Sequence, residues 1–122
     1  MTRRDPMVYV FHMMDYSRDA VDIAQDYSRA DLDTNRMLRY ALIKAVETIG
    51  EAASRVPEDY RTQYPEIPWR ETRDLRNRLV HEYDRIDLDT LWNIIQDHIP
   101  PLIEQLEDLI SQEAPRQDWS PP

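Results

Sequence analysis

Apolar residues recur along this chain every three to four positions, and no window alternates with period two over a useful length, so the sequence predicts helices and no sheet. Asp5 and Pro6 form an N-cap and first-turn pair. Val10, Met14, Val21 and Ala24 then repeat at helical spacing, which predicts a first helix to about Tyr27 whose methionines and aromatics serve as core. A polar connector, SRADLDT, leads to the strongest pattern: Leu38, Ala41, Leu42, Ala45, Ile49, Ala52, Ala53 and Val56 form the buried face of a second helix. Pro57, Pro65 and Pro68 punctuate a loop, and Pro68 with Trp69 opens a third helix expected to reach Tyr83. Asp87 or Asp89 caps a fourth, which carries Leu91, Trp92, Ile95, Ile99, Leu102, Leu106, Leu109 and Ile110. Pro100 and Pro101 should kink or split it near its middle. The expected architecture is all-α, an antiparallel bundle of four to five helices over residues 1–112, followed by a poorly ordered tail over 113–122 (EAPRQDWSPP).

Three positions break the pattern. Gly50 lies inside the strong second helix, where glycine costs ~1 kcal/mol relative to alanine; close approach of another helix would compensate. On a continuous third helix, Arg76 falls at the centre of a stripe formed by Trp69, Thr72, Leu79, Val80 and Tyr83, each within about 45° of it. A guanidinium turned into a core needs a carboxylate or other acceptors; Glu47 and Glu51 of the second helix are the candidates, although with Lys44 and Arg55 they also fit an intrahelical ladder of charges. Asn77 and His81 lie four residues apart on another side of the same helix, so that Arg76 and His81 stand about 140° apart if the helix is unbroken.

Composition narrows the chemistry. A chain of 122 residues makes one domain. The absence of cysteine removes disulfides and thiolate metal sites, and a single glycine removes P-loops and dinucleotide-binding turns. His12, His81 and His98 show no ligand spacing, so neither a metal site nor a cofactor is expected. No stretch approaches the ~20 apolar residues of a membrane span, and a cytoplasmic location is expected. The net charge of −9 should repel nucleic acid at long range. Residues 70–85 nevertheless hold Arg70, Arg73, Arg76, Arg78 and Arg85 against four acids, a local balance of +1. Fourteen of the fifteen basic residues are arginine, the side chain suited to planar recognition of carboxylate or phosphate. Taken alone, that run also fits a solvated helix face of mixed sign.

The stretch Arg76 to Tyr83, RNRLVHEY, resembles the Arg-x(4-6)-His signature of the HEPN superfamily, in the form of HepT-like toxins whose histidine is followed two residues later by tyrosine. The segment ETIGEA (Glu47 to Ala52), the Pro68-Trp69 pair and the Asp87-to-Trp92 spacing resemble the same group. The resemblance covers roughly Leu38 to Leu109; Asp74-Leu75 stands where many relatives have Gly-Met. It implies a helical bundle that forms a two-fold homodimer, with the motifs of both protomers facing a shared cleft. It further implies metal-independent cleavage of RNA, a nucleotidyltransferase antitoxin as partner, and Tyr83 as the acceptor of AMP from that antitoxin.

The residues can support this chemistry. Metal-free RNA cleavage needs a base for the 2'-hydroxyl, an acid for the leaving 5'-oxygen and positive charge at the phosphorus. His81 can move the proton near neutral pH and Arg76 can grip phosphate oxygens. A two-fold axis would supply the second histidine. Asn77 is a supporting candidate beside His81, and Arg70, Arg73 and Arg78 are candidates for contacts with RNA. Two other readings compete: a non-catalytic helical subunit bound to a nucleotidyltransferase, and a structural helical dimer in which Arg76 is an internal tether.

Overall fold

The computed structural model describes residues 5–80 and 85–117. Its elements are α1 (Pro6–Ala24), α2 (Asp31–Thr34), α3 (Arg36–Arg55), α4 (Glu58–Arg61), α5 (Trp69–Arg73), α6 (Leu75–Leu79), α7 (Leu88–Asn93), a π-helical turn (Ile94–His98) and α8 (Ile99–Gln117). The fold is an all-α bundle, and no strand occurs among the described residues beyond one isolated antiparallel bridge, Val80 to Ile86.

The long helices α1, α3 and α8 enclose the core. Asp5 caps α1, its carboxylate accepting from the Met7 N–H at 2.9 Å, with Pro6 in the first turn. The face of α1 carrying Met7, Val10, Met14 and Ala20 is sealed from solvent and packs mainly on α3 and α8. The helix stops at Ala24, one turn before the expected Tyr27, because Asp31 captures the Ser28 backbone N–H at 2.7 Å and builds a turn into the short α2. Asn35 caps α3 by accepting from the Leu38 N–H. Val56 ends it in an extended conformation ahead of Pro57, whose ring disfavours a helical predecessor.

The proline-rich connection is anchored by aromatic residues. The Tyr60 hydroxyl donates to Met7 Sδ at 3.0 Å, and Trp69 Nε1 donates to the Tyr64 carbonyl at 2.9 Å. The Tyr64 hydroxyl donates to Glu113, which is buried. Burial, more than the nearby Glu113, pushes the Tyr60 phenol well above its ordinary value. Helix α8 therefore runs through Glu113, a residue the sequence assigns to the tail, as far as Gln117.

The expected third helix is not continuous. Asp74, at φ −88° and ψ 1°, separates α5 from α6, and α6 ends at Leu79 with Val80 extended. The Asp87 N–H donates to the Leu79 carbonyl at 2.8 Å, and together with the Val80–Ile86 bridge this fixes both ends of the connection over 81–85. His81 and Tyr83 lie outside the described residues. Asp87, rather than Asp89, caps α7 by accepting from the Thr90 N–H; Asp89 instead accepts from Arg29 Nε at 2.6 Å.

The fourth helix is divided by a π turn just ahead of Pro100 and Pro101, which themselves lie in the first turn of α8. Neither proline can donate to the carbonyl four residues earlier, and the π turn over Ile94–His98 takes up the mismatch immediately before them. Leu91 before this turn, Ile94 and Ile95 within it, and Ile99, Leu102, Leu106 and Leu109 after it are all buried. Among the described residues no helix is long and apolar enough to cross a membrane.

Candidate active site around Arg76

The site is assembled where α5 and α6 lie against α3. Gly50 makes that approach possible: a Cβ there would stand 3.2 Å from the Thr72 carbonyl oxygen and 3.9 Å from Leu75 Cβ. The close approach inferred from the misplaced glycine is therefore present, and its partner is α5.

Arg76 is not a core residue. Its side chain is 71% exposed, and Nε stands 3.2 Å from Glu47 Oε2, itself 37% exposed. The carboxylate partner is one that the sequence nominates, but the burial is the reverse of the expectation. The break at Asp74 is the cause. The buried positions are Trp69, Thr72, Leu75 and Leu79, spaced by three across the break, which turns Leu75 inward and Arg76, Asn77 and Arg78 outward. The internal-tether reading falls with this finding. A solvent-screened pair of this kind contributes about 0–1 kcal/mol, so the guanidinium can exchange Glu47 for an incoming phosphate at little cost. Arg76 and Glu47 line a hollow of about 340 Å³ with Lys44, Thr48 and Glu51.

Asn77 is exposed and its amide donates to Asp74 Oδ1 at 2.7 Å. Arg70 and Arg73 join it, with Ser54, Glu71 and Asp74, around a shallow cleft of about 620 Å³. Arg78 is exposed outside that cleft and acts on His98 instead. Burial is the main cause holding the His98 imidazole below its ordinary value; the positive charge of Arg78 adds to this, and Glu71 opposes it. The Thr72 hydroxyl donates to the Pro68 carbonyl at 2.7 Å and so accepts from His98 Nε2 at 3.1 Å, which places the hydrogen of the neutral ring on Nε2. Sequence periodicity gave no signal for this link between α5 and the π turn.

A second hollow, of about 440 Å³, lies between α1 and α3, lined by Tyr9, His12, Thr48, Glu51, Ala52 and Arg55. Tyr9, which the sequence assigns to the core with the other aromatic residues of the first helix, is half-buried and packs against that core; its ring meets that of the half-buried His12 edge to face, with ring centres 6.5 Å apart. Thr48 and Glu51 line both this hollow and the one that holds Arg76. No group of three or more His, Cys, Asp or Glu able to hold a metal ion occurs among the described residues.

Comparison with known proteins agrees with the family resemblance. The family model described as "Ribonuclease HepT-like" matches residues 13–109, a span that contains Arg76, His81 and Tyr83. The Methanocaldococcus jannaschii protein named "Putative RNase MJ1380" is 34% identical over 107 residues, covering 88% of this chain and 98% of that one. The "Probable ribonuclease HepT" of Thermococcus cleftensis is 34% identical over 102 residues, covering 78% and 93%. The "Putative RNase TTE0752" of Caldanaerobacter subterraneus is 26% identical over 110 residues, covering 90% and 98%. No solved structure matches significantly. A helical bundle that exposes an arginine at the start of the Arg-x4-His-x-Tyr motif, matched over four-fifths of its length, belongs to the HepT-like ribonuclease family.

Proposed function

We propose that this protein is the toxin of a toxin-antitoxin pair, a metal-independent endoribonuclease that cuts RNA at a cleft between two copies of the chain. Arg76 neutralises the phosphate, and His81 transfers the proton; the His81 of one protomer serves as base for the 2'-hydroxyl and that of its partner as acid for the leaving oxygen. Arg70, Arg73 and Arg78 provide further contacts to the RNA backbone, and Asn77 supports the site from the α6 surface. The observation that carries this reading is the exposure of Arg76 at 71%, in a pair with Glu47 weak enough to yield to phosphate.

Control of the toxin falls to Tyr83. A nucleotidyltransferase antitoxin moves AMP onto the phenol: the phenolic oxygen attacks the α-phosphorus of ATP, pyrophosphate leaves and the phenol loses its proton. A bulky anion two residues from His81 then blocks the cleft and repels RNA phosphate.

The test is expression of the chain alone and with its partner. Growth arrest is expected with the wild type and not with folded Arg76→Ala or His81→Ala, and cleavage should survive chelators and leave 2',3'-cyclic phosphate ends. Equal toxicity of wild type and His81→Ala would overturn the catalytic assignment. A monomeric mass at micromolar concentration with full nuclease activity would remove the dimer. Intact-mass spectrometry should find AMP on Tyr83 and none on Tyr83→Phe; an unmodified Tyr83 in a rescued cell would leave that residue a packing role.

A further inference from the structure

We infer that the hollow between α1 and α3 is a nucleobase subsite, holding a base of the single-stranded RNA next to the phosphate gripped by Arg76. The inference rests on the ribonuclease reading and adds a place on the protein where base identity is sensed.

Four observations meet at this hollow. Tyr9 and His12 stand at an interplanar angle of 83°, so one ring offers a face where the other offers an edge. Such a corner suits a planar heterocycle, which stacks on the first ring while its rim meets the second. Next to it, Arg55 donates from Nε and from its terminal nitrogen to a single oxygen, Glu51 Oε1, at 3.0 and 2.9 Å. The pair is exposed and exchanges readily, and it engages only Glu51 Oε1, so Glu51 Oε2 can accept from the amino or imino N–H groups on a base edge. Ala52 supplies an apolar lining with a small side chain, and the volume of about 440 Å³ lies within the range of small-ligand sites. Finally, Thr48 and Glu51 belong to both this hollow and the one containing Arg76, Glu47 and Lys44, so a base and an adjoining phosphate can be held on one continuous surface of α3.

This arrangement answers a difficulty of charge. A protein of net charge −9 gains little from long-range attraction to RNA, so affinity has to come from contacts that do not depend on charge. Base stacking supplies such a contact and is insensitive to salt in a way that phosphate contacts are not.

The experiment uses the full chain carrying His81→Ala, which binds without cutting, and fluorescence anisotropy with single-stranded RNA hexamers of A, C, G or U. Tyr9→Leu keeps the apolar stem of the side chain on the core, and Glu51→Gln removes the charge and replaces one acceptor oxygen with an NH2 donor while keeping the side-chain shape. Tyr9→Leu is expected to weaken binding about tenfold with the slope of affinity against salt unchanged. Glu51→Gln is expected to narrow the differences in affinity among the four hexamers. In the cleaving background, Tyr9→Leu should raise KM about tenfold and change kcat less than threefold. Wild-type affinity and base preference in both folded variants would overturn the subsite while leaving the ribonuclease reading intact. Failure of the wild type to cut RNA at all would count against the ribonuclease reading itself, and the binding arms would still decide the subsite.

Discussion

Gly50 offers the sharpest perturbation of the contact that positions Arg76. Replacing it with alanine adds a Cβ 3.2 Å from the Thr72 carbonyl oxygen, a tight but tolerable contact, and recovers the ~1 kcal/mol that glycine costs inside a helix. The two terms nearly cancel, so Gly50→Ala should stay within about 1 kcal/mol of the wild type. Valine is a different matter. Its two methyl groups extend from a Cβ already against the α5 backbone, with Leu75 Cβ a further 3.9 Å away, and α5 has to move outward. Overpacking of this kind costs about 1–3 kcal/mol, and at about 4 °C per kcal/mol for a chain of this size the melting temperature should fall by roughly 4–12 °C. The functional effect should exceed the thermodynamic one. Domains of this size are stable by about 5–15 kcal/mol, so the variant remains folded at 25 °C while the helices that carry Arg70, Arg73 and Arg76 shift. The assay pairs thermal melting with RNA cleavage at 25 °C, where Gly50→Val should lose at least tenfold in kcat/KM with its helical content retained. A Gly50→Val protein with unchanged melting temperature and activity would refute the idea that this contact sets the site.

Other expectations follow from the polar links between helices. Thr72→Val keeps the shape but strands the His98 Nε2–H, and should cost about 1–2 kcal/mol in urea unfolding. His98 has a folded-state value below its unfolded value, so its contribution to stability is complete above the unfolded value near 6.5 and is lost as pH falls through the folded one. The wild type should therefore lose stability between pH 7 and 5 more steeply than His98→Gln, measured as urea midpoints in matched buffers; equal slopes would show that the imidazole is not the titrating group. Asp87→Ala removes the cap of α7 and should cost about 1 kcal/mol, read from the same denaturation curves.

The helices were legible because each buries one face, and the period of Leu38, Leu42, Ala45 and Ile49 reports that burial directly. Gly50 was legible for a related reason: it departs from a strong local pattern, and the departure has a physical partner in space, whereas Glu47 reads equally as part of a charge ladder within its own helix. What periodicity could not carry was a change of phase. Asp74 and Val80 interrupt the third helix with no proline or glycine to announce it, and the wheel drawn through them put Arg76 inside when it is outside. The hollow beside Tyr9 and His12 was hidden for another reason, since the width of a groove between two helices is written in the periodicity of neither. The prolines at positions 100 and 101 were read correctly as a disturbance, but the π turn that absorbs it is a backbone response with no residue signature of its own.

The termination of α6 at Leu79 bears on how the motif can vary from one relative to the next. On an unbroken helix, each residue inserted between the arginine and the histidine would swing the histidine about 100° around the axis. Here the helical phase set by Arg76 expires at Leu79, Val80 is already extended, and the Leu79–Asp87 hydrogen bond anchors the far side of the connection. A residue added after Leu79 is therefore not carried around the axis of the helix that holds Arg76. A signature written with four to six residues between its two polar groups is what such a joint permits.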